Sequence, residues 1–128
     1  MERDLSVFPH DDNGNVLWAA HQHGIKIGDE HVLKYVLIFP QVNDALTFSL
    51  FLLRQGYWVQ FNELENKPGY AAEVSLKMGL EVTHAHITDA EAWLAEHAGS
   101  LSGKNDGWEI QEKIREVVGF GYADLSNR

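Results

Sequence analysis

The stretch YWVQFNELENKPGYAAEVSLKM, residues 57–78, contains two runs in which polar and apolar residues alternate. One run extends from Tyr57 to Asn62 and the other from Ala71 to Met78, and this period of two is typical of half-buried strands. Between them, the sequence from Asn66 to Gly69 is typical of a turn. The stretch therefore predicts an antiparallel hairpin near the centre of the chain.

A strand and a helix are predicted before this hairpin. HVLKYVLIFP, residues 31–40, is rich in β-branched and aromatic residues and stops at a proline, so it predicts a strand buried on one face and largely on the other. NDALTFSLFLLRQG, residues 43–56, predicts a helix that Asn43 or Asp44 caps and Gly56 ends.

The helix over residues 43–56 has a wider apolar surface than a single sheet contact needs. Leu46, Leu50 and Leu53 share one face, and Phe48 and Phe51 fall outside that stripe. We therefore expect a second cover over the two phenylalanines. The candidates are the first helix of the chain and a second subunit in a homodimer.

A helix and a short strand are predicted after the hairpin. ITDAEAWLAEHAG, residues 87–99, predicts a helix whose capping box is formed by Thr88 and Glu91. In NDGWEIQ, residues 105–111, we expect Asp106 and Gly107 to form a turn. Trp108 then begins the last strand and packs its indole against the preceding helix.

The order of these elements predicts the fold class. A short helix capped by Asp11-Asp12 comes first, and strand, helix, strand, strand, helix and strand follow. Two right-handed βαβ units joined through the hairpin give an α+β, ferredoxin-like sandwich. It has a four-stranded antiparallel sheet with two helices on one face, plus the short N-terminal helix. We expect one domain over residues 1–128, with a core at about 11–112 and a tail at 113–128 that extends the last strand or covers part of the sheet.

Composition restricts the class of protein. The chain has 128 residues, 45% of them apolar, which suits one packed domain, and it has no cysteine for disulfides or thiolate metal sites. No signal-peptide pattern and no membrane-length apolar run occur, so a cytoplasmic protein without membrane contact is expected. The net charge of −9 with scattered basic residues argues against direct nucleic-acid binding. It favours either solubility alone or a basic protein partner.

No residue pattern indicates catalysis or a cofactor. The sequence contains no nucleophile elbow and no glycine-rich phosphate loop. Two H-x-H pairs raise a metal hypothesis, although they match no known zinc spacing. The candidate ligands are His21, His23, His84, His86, Glu81 and Asp89. We predict no catalytic residue, no cofactor and no metal, and keep a small-ligand or metal-binding protein that uses the histidine pairs as the alternative.

Five pieces of the sequence together resemble one known family. They are DDNGNVLW (11–18), HVLKYVLIFP (31–40), LRQGYWVQ (53–60), ITDAEAWLAEHAG (87–99) and NDGWE (105–109). Their content and order are similar to the RraB-like family, the regulators of ribonuclease E activity of type B. The resemblance implies a ferredoxin-like fold and no enzymatic activity. It also implies a protein that binds the endonuclease ribonuclease E and inhibits it, altering transcript abundance.

A partner surface is predicted either at the exposed edge of the wide-faced helix over residues 43–56 or on the sheet face that the helices leave uncovered, to which most of the candidate residues belong. Its residues mix charges with an aromatic ring, as protein interfaces do. They are Lys34, Trp58, Gln60, Glu73, Lys77, Asp106 and Glu109. The sequence thus predicts a non-catalytic, protein-binding regulator of RNA turnover, with ribonuclease E as the partner that the resemblance implies. A homodimeric module of unknown role is a further alternative.

Overall fold

The computed structural model describes residues 2–113, and in them three helices pack against one side of a four-stranded antiparallel sheet. In chain order the elements are α1 (Asp12–Gln22), β1 (Glu30–Phe39), α2 (Val42–Arg54), β2 (Trp58–Glu63), β3 (Ala72–Glu81), α3 (His84–Gly99) and β4 (Lys104–Lys113). The strand order is β2-β3-β1-β4. The predicted α+β class and four-stranded antiparallel sheet are confirmed. Residues 114–128 of the predicted tail lie outside the described residues.

β1 is one of the two inner strands, because it pairs with both β3 and β4. Leu33, Tyr35 and Leu37 point to the helices and belong to the same buried cluster as Leu17 of α1, Leu52 of α2 and Leu94 of α3. Val32 and Ile38 point to the opposite face and are buried as well. The prediction of a strand buried largely on both faces is therefore correct.

The buried face of α2 differs from the prediction. Leu46, Leu50 and Leu53 are 41%, 52% and 54% exposed, whereas Phe48 and Leu52 are fully buried. The helix is apolar around most of its circumference, so its periodicity permits two stripes, and the larger phenyl ring takes the interior position. The helix begins at Val42 with Gln41 as its N-cap, which makes no side-chain cap hydrogen bond, so the predicted cap at Asn43 or Asp44 was wrong.

The cover over the two phenylalanines of α2 comes from β1 and α3. The ring of Phe48 lies 5.3 Å from that of Phe39. The ring of Phe51 lies 4.7 Å from His97 and 5.6 Å from Trp93, both on α3. Neither the first helix nor a second subunit is needed there, so that expectation was wrong.

α3 begins at His84, one turn before the predicted capping box. Its N-cap is Thr83, whose hydroxyl oxygen accepts a hydrogen bond of 3.2 Å from the backbone N–H of His86. Thr88 and Glu91 therefore lie inside α3. Their side chains accept hydrogen bonds from Asn13 of α1 and do not cap the N-terminus of α3. The capping-box pattern favoured Thr88, because Glu91 follows it three positions later, whereas His86 occupies that position after Thr83.

β4 begins at Lys104, and Asp106-Gly107 is a β-bulge within it instead of the predicted turn. The β1–β4 register shifts between Tyr35 and Leu37, so two residues of β4 occupy the place of one. Gly107 has φ +118°, a conformation that glycine adopts without strain. Because the bulge adds one residue, Asn105 and Trp108 both point to the helices although an odd number of positions separates them.

Candidate functional site

A hydrogen-bonded polar junction connects α1, α3 and β4. Its members are Asp11, Asn13, His84, Thr88, Glu91, Asn105 and Trp108. Asn13 lies at its centre. Its Nδ2 donates to Glu91 Oε1 at 2.6 Å and to Thr88 Oγ1 at 3.1 Å, and its Oδ1 accepts from Trp108 Nε1 at 3.0 Å. One side chain of α1 thus fixes the position of that helix against both α3 and β4.

The exposed end of the polar junction is the pair formed by Asp11 and His84. Asp11 Oδ1 accepts from the backbone N–H of Gly14 at 2.7 Å, which caps α1, and Asp11 Oδ2 lies 2.8 Å from His84 Nε2. The bond from Gly14 is the larger cause and the bond with His84 the second, and together they hold the pKa of Asp11 below its ordinary value.

The first turn of α1 also depends on a close backbone contact. A Cβ atom on Gly14 would collide with the carbonyl oxygen of Pro9, so only glycine fits between α1 and the preceding segment. Arg3 reinforces this segment, since its guanidinium donates to the backbone oxygens of Phe8 and Pro9 and to Asn15 Oδ1. The N-terminal segment and the polar junction are therefore packed as one unit.

The bulge in β4 positions the last two members of the polar junction. Asn105 Nδ2 donates to the backbone oxygen of Glu91 at 3.2 Å, while Trp108 reaches Asn13. Asn105 Oδ1 is buried and has no hydrogen-bond partner within residues 2–113. The indole of Trp108 was predicted to pack against α3, whereas its ring packs against the buried core cluster and its N–H donates to Asn13 of α1.

The predicted histidine pairs do not converge on a common centre. His84 and His86 lie on the first turn of α3, not in a linker before it, and two helical positions separate the rings by about 200°. His84 faces Asp11, and His86 Nδ1 lies 2.9 Å from Thr83 Oγ1. Across residues 2–113, no group of three His, Cys, Asp or Glu side chains could hold a metal ion.

The pKa of one buried phenol, that of Tyr35, is shifted strongly. Tyr35 is almost fully buried, and its hydroxyl lies 3.4 Å from the backbone oxygen of Ile87. Burial is the main cause that raises the pKa of Tyr35 above its ordinary value, and the carboxylate of Glu91 adds to it. The phenol therefore stays neutral and acts as a hydrogen-bond donor inside the core.

Six of the seven predicted partner residues lie on the sheet face opposite the helices, which we call the outer sheet face. They are Lys34, Trp58, Gln60, Glu73, Lys77 and Glu109. Four of them form one row across all four strands, in the order Glu109, Lys34, Lys77 and Trp58. The ammonium of Lys77 lies 4.6 Å from the centre of the Trp58 ring, a cation–π contact.

The rest of the outer sheet face combines exposed polar groups with an apolar centre. Gln60 and Glu109 are exposed, and Asn62 Nδ2 donates to Glu73 Oε1 at 3.3 Å. Asp106, the seventh predicted residue, lies at the bulge, where its carboxylate forms a 3.4 Å ion pair with Lys67 of the β2–β3 connection. The structure thus brings six of the predicted residues to one face and places Asp106 at the end of the sheet.

A cleft of about 460 Å³ lies between the N-terminal segment and the connection from α1 to β1. Val7, Phe8, Ile25 and Ile27 line it, so its surface is mainly apolar. The carboxylate of Asp4 at this cleft is bonded to the hydroxyl and the backbone N–H of Ser6, and these bonds lower its pKa. His21 and Lys26 also line the cleft, so a carboxylate and two basic side chains stand at the rim of a mainly apolar surface.

The fold and these surfaces define a small α+β protein with two groups of polar side chains. One group, the polar junction, joins its own helices and strands, and the other lies on the outer sheet face. The family model described as regulator of ribonuclease activity B matches residues 10–110, a range that includes every member of the polar junction. The chain belongs to this family, as its sequence predicted, and the family regulates ribonuclease activity. A search of the curated proteins gave no match.

Sequence reasoning missed most of the polar junction. Asn13, Asn105 and the tertiary role of Thr88 and Glu91 were not recognised as parts of one network. The signal that could have found them is their position, because each lies in one of the pieces that carry the family resemblance: DDNGNVLW, ITDAEAWLAEHAG or NDGWE.

Within residues 2–113, no helix has the length and apolar content needed to cross a membrane.

Proposed function

We propose that this protein is a non-catalytic regulator that binds ribonuclease E through its outer sheet face and inhibits it. Family membership supports a ribonuclease as the regulated enzyme. The observation that carries the choice of surface is the row of Glu109, Lys34, Lys77 and Trp58 across the four strands. Tryptophan is enriched at protein interfaces and the rim of an interface is polar, so Trp58 is the candidate anchor of this row and the charges form its rim.

The arrangement of charges suits recognition of a protein with charges of both signs. Glu109 and Lys34 are direct neighbours in the row, while Lys77 lies between Lys34 and Trp58. Such groups fix the orientation of a partner, because a shifted partner meets like charges. The net charge of −9 adds a long-range attraction for basic partners, which raises the association rate more than the final affinity.

The bonds of the titratable groups support a role without catalysis. His84 is bonded to Asp11, His86 to Thr83 and Glu91 to Asn13, so each of these side chains stabilises a helix end or a helix contact. Tyr35 is buried in the core. A general acid or base must instead reach a substrate in a cleft, and these groups do not line the cleft near Phe8.

We also assign the fold to the ferredoxin-like class, as one domain over residues 1–128. The strand order β2-β3-β1-β4 supports this assignment, because it places the first and third strands at the centre. The connection of β1 to β2 through α2 and of β3 to β4 through α3 gives the two βαβ units that the class requires.

The proposed surface is tested with the double variant Glu73→Lys/Glu109→Lys. We expect its dissociation constant for purified ribonuclease E to rise at least about tenfold, since two charges that meet the partner are reversed. The inhibition of RNA cleavage should weaken in parallel. Titration calorimetry measures the dissociation constant and a cleavage assay measures the inhibition. Circular dichroism checks that the double variant and its control remain folded.

The matched control is Asp89→Lys/Glu96→Lys on the exposed side of α3. It replaces two acids with two lysines as well, so the net charge changes equally, but on the helical side of the molecule. We expect its binding to change less than about threefold, through long-range electrostatics alone. Equal losses of affinity in both variants would show that net charge causes the effect, and the outer sheet face would be rejected as the binding surface. If the wild type does not bind ribonuclease E, that enzyme would be rejected as the partner.

A further inference from the structure

β2 forms an edge of the sheet whose outer side no strand occupies within residues 2–113. The opposite edge, β4, has the bulge at Asp106-Gly107 and charged residues such as Lys104 and Glu109, which are devices that prevent pairing with another chain. β2, with the sequence WVQFNE, has a regular register, no proline and no lysine, and its only charge is Glu63 at its end. β2 therefore lacks the protection that β4 has.

The outward backbone groups of β2 can be identified from its pairing with β3. The N–H of Leu64 donates to the backbone oxygen of Ala71 at 2.8 Å, in line with the β2–β3 register. Because N–H and C=O groups alternate between the two sides of an antiparallel strand, Val59 and Phe61 direct theirs away from β3. These two residues present unpaired donors and acceptors at the edge, and their side chains lie on the helical side, half-buried.

An apolar stripe on α2 continues this edge. Leu46 and Leu53 lie about 140° and 160° around the helix from Phe51, at 100° per residue. Since Phe51 contacts α3, these leucines face away from α3, on the side where β2 forms the edge. Leu50 completes the stripe, and all three leucines are 41–54% exposed. Helix and strand together present one apolar edge with unpaired backbone groups below it.

We propose that this edge is the interface of a homodimer in which β2 pairs with its own copy in antiparallel orientation. A two-fold axis at Gln60 places Gln60 opposite Gln60, Val59 opposite Phe61 and Trp58 opposite Asn62. In this register the paired side chains point to the same face, and the outward backbone groups of Val59 and Phe61 bond each other. No two like charges face each other along the pair, although the chain as a whole has a charge of −9.

The helices meet across the same axis. Paired strands lie about 4.8 Å apart, and α2 covers β2 and β3, so the two copies of α2 would run side by side about 10 Å apart. Helices pack at 8–10 Å, so the leucine stripes would come into contact. The six-residue strand and the 13-residue helix are each about 20 Å long. Their contact area is at the small end for stable interfaces, so the dimer should be weak and concentration-dependent.

Charge variants at the two-fold axis test the dimer. Gln60 is exposed and faces its own copy, so Gln60→Lys and Gln60→Glu each place two like charges together. Sedimentation velocity from about 5 to about 500 µM should show the wild type shifting from 14.5 kDa to twice that mass. Each variant alone should dissociate at least about tenfold more readily, and an equimolar mixture of the two should recover dimer, because lysine then faces glutamate.

The controls separate this interface from general charge effects. Leu50→Lys should weaken the dimer, whereas Val16→Lys, at a similarly exposed apolar residue of α1, should not. Gln111→Lys, on the opposite edge strand, should also leave the dimer intact. Three results would overturn the proposal. The first is a wild type that stays monomeric throughout the range, and the second is a dimer that resists both Gln60→Lys and Leu50→Lys. The third is exchange protection of the Val59 and Phe61 amides that does not depend on concentration. If these amides are protected even at the lowest concentration, another part of the chain covers the edge. The dimer does not depend on the proposed ribonuclease contact.

Discussion

Asn13 is the residue that connects the most elements through its side chain. Its amide has three partners, on two elements other than its own, and each partner lies far away in the sequence. A sequence pattern describes Asn13 only as a polar residue in the first turn of a helix. Its role depends on tertiary packing, and for this reason the sequence did not predict it.

Replacement of Asn13 by alanine should lower the free energy of unfolding by about 2 kcal/mol. Three hydrogen bonds are lost, one of them to the carboxylate of Glu91, and the Trp108 indole N–H is left without its acceptor. Urea denaturation followed by tryptophan fluorescence measures the change. Gln22→Ala, at an exposed position of the same helix, should change stability by less than about 0.5 kcal/mol. Equal effects of the two changes would contradict the role of Asn13.

Asp11 should make stability depend on pH in the acid range. Its folded-state pKa is lowered, so its contribution is fully present above the ordinary value of 3.8 and is lost as the pH falls through the lower, folded-state pKa. Asp11→Asn keeps an N-cap oxygen but cannot ionise. The difference in unfolding free energy between wild type and Asp11→Asn should therefore be constant at pH values well above 3.8 and decrease in acid, as the pH falls through the folded-state pKa of Asp11. Urea titrations at several pH values would contradict this if the difference stayed constant into strong acid.

At the scale of the elements, β4 shows why a turn-like dipeptide is ambiguous. Asp-Gly is typical of reverse turns, and the sequence alone favoured a turn followed by a strand at Trp108. The pairing with β1 decides otherwise, because β1 has partners for β4 on both sides of the bulge. Asp-Gly then provides the positive φ of a bulge residue instead of a chain reversal.

Gly107→Ala should destabilise the protein by about 1–2 kcal/mol because of its backbone conformation alone. No atom lies within 4 Å of a Cβ added at Gly107, so the side chain itself meets no neighbour, but φ is +118°. Gly99→Ala is the matched control, since the space there is open as well and φ is not in the left-handed region. It should be neutral or stabilise α3 by up to about 1 kcal/mol. Equal thermal shifts of the two variants would show that φ is not the cause.

α2 shows the limit of periodicity for a helix that is apolar nearly all round. The position and length of the helix were predicted closely, but its buried face was not, since the leucines and the phenylalanines each form an acceptable stripe. Only the neighbouring rings of Phe39, Trp93 and His97 show which stripe is inside. The exposed leucines are consequently the largest difference between the predicted and observed surfaces.

At the scale of the whole molecule, the order of the elements and the alternation in the strands could be predicted from the sequence. β1, β2 and β3 each have an apolar face that follows from strict alternation, so their faces could be assigned from the sequence, whereas the bulge interrupts the alternation in β4. The six residues of the outer sheet face follow from that alternation. The polar junction does not, because its members come from three distant segments and no local rule relates them.

The bulge in β4 has a consequence for changes in chain length. Surface glycines usually mark places where a gene can gain or lose a codon without harm. Loss of Gly107 would restore strict alternation in β4. The side chains on one side of the deletion would then point to the opposite face of the sheet from the one they occupy now. Either Trp108 and Ile110 would turn away from the core and Glu109 into it, or Asn105 would leave Glu91. An exposed residue with open space around it is therefore a position where a deletion is far more damaging than most substitutions.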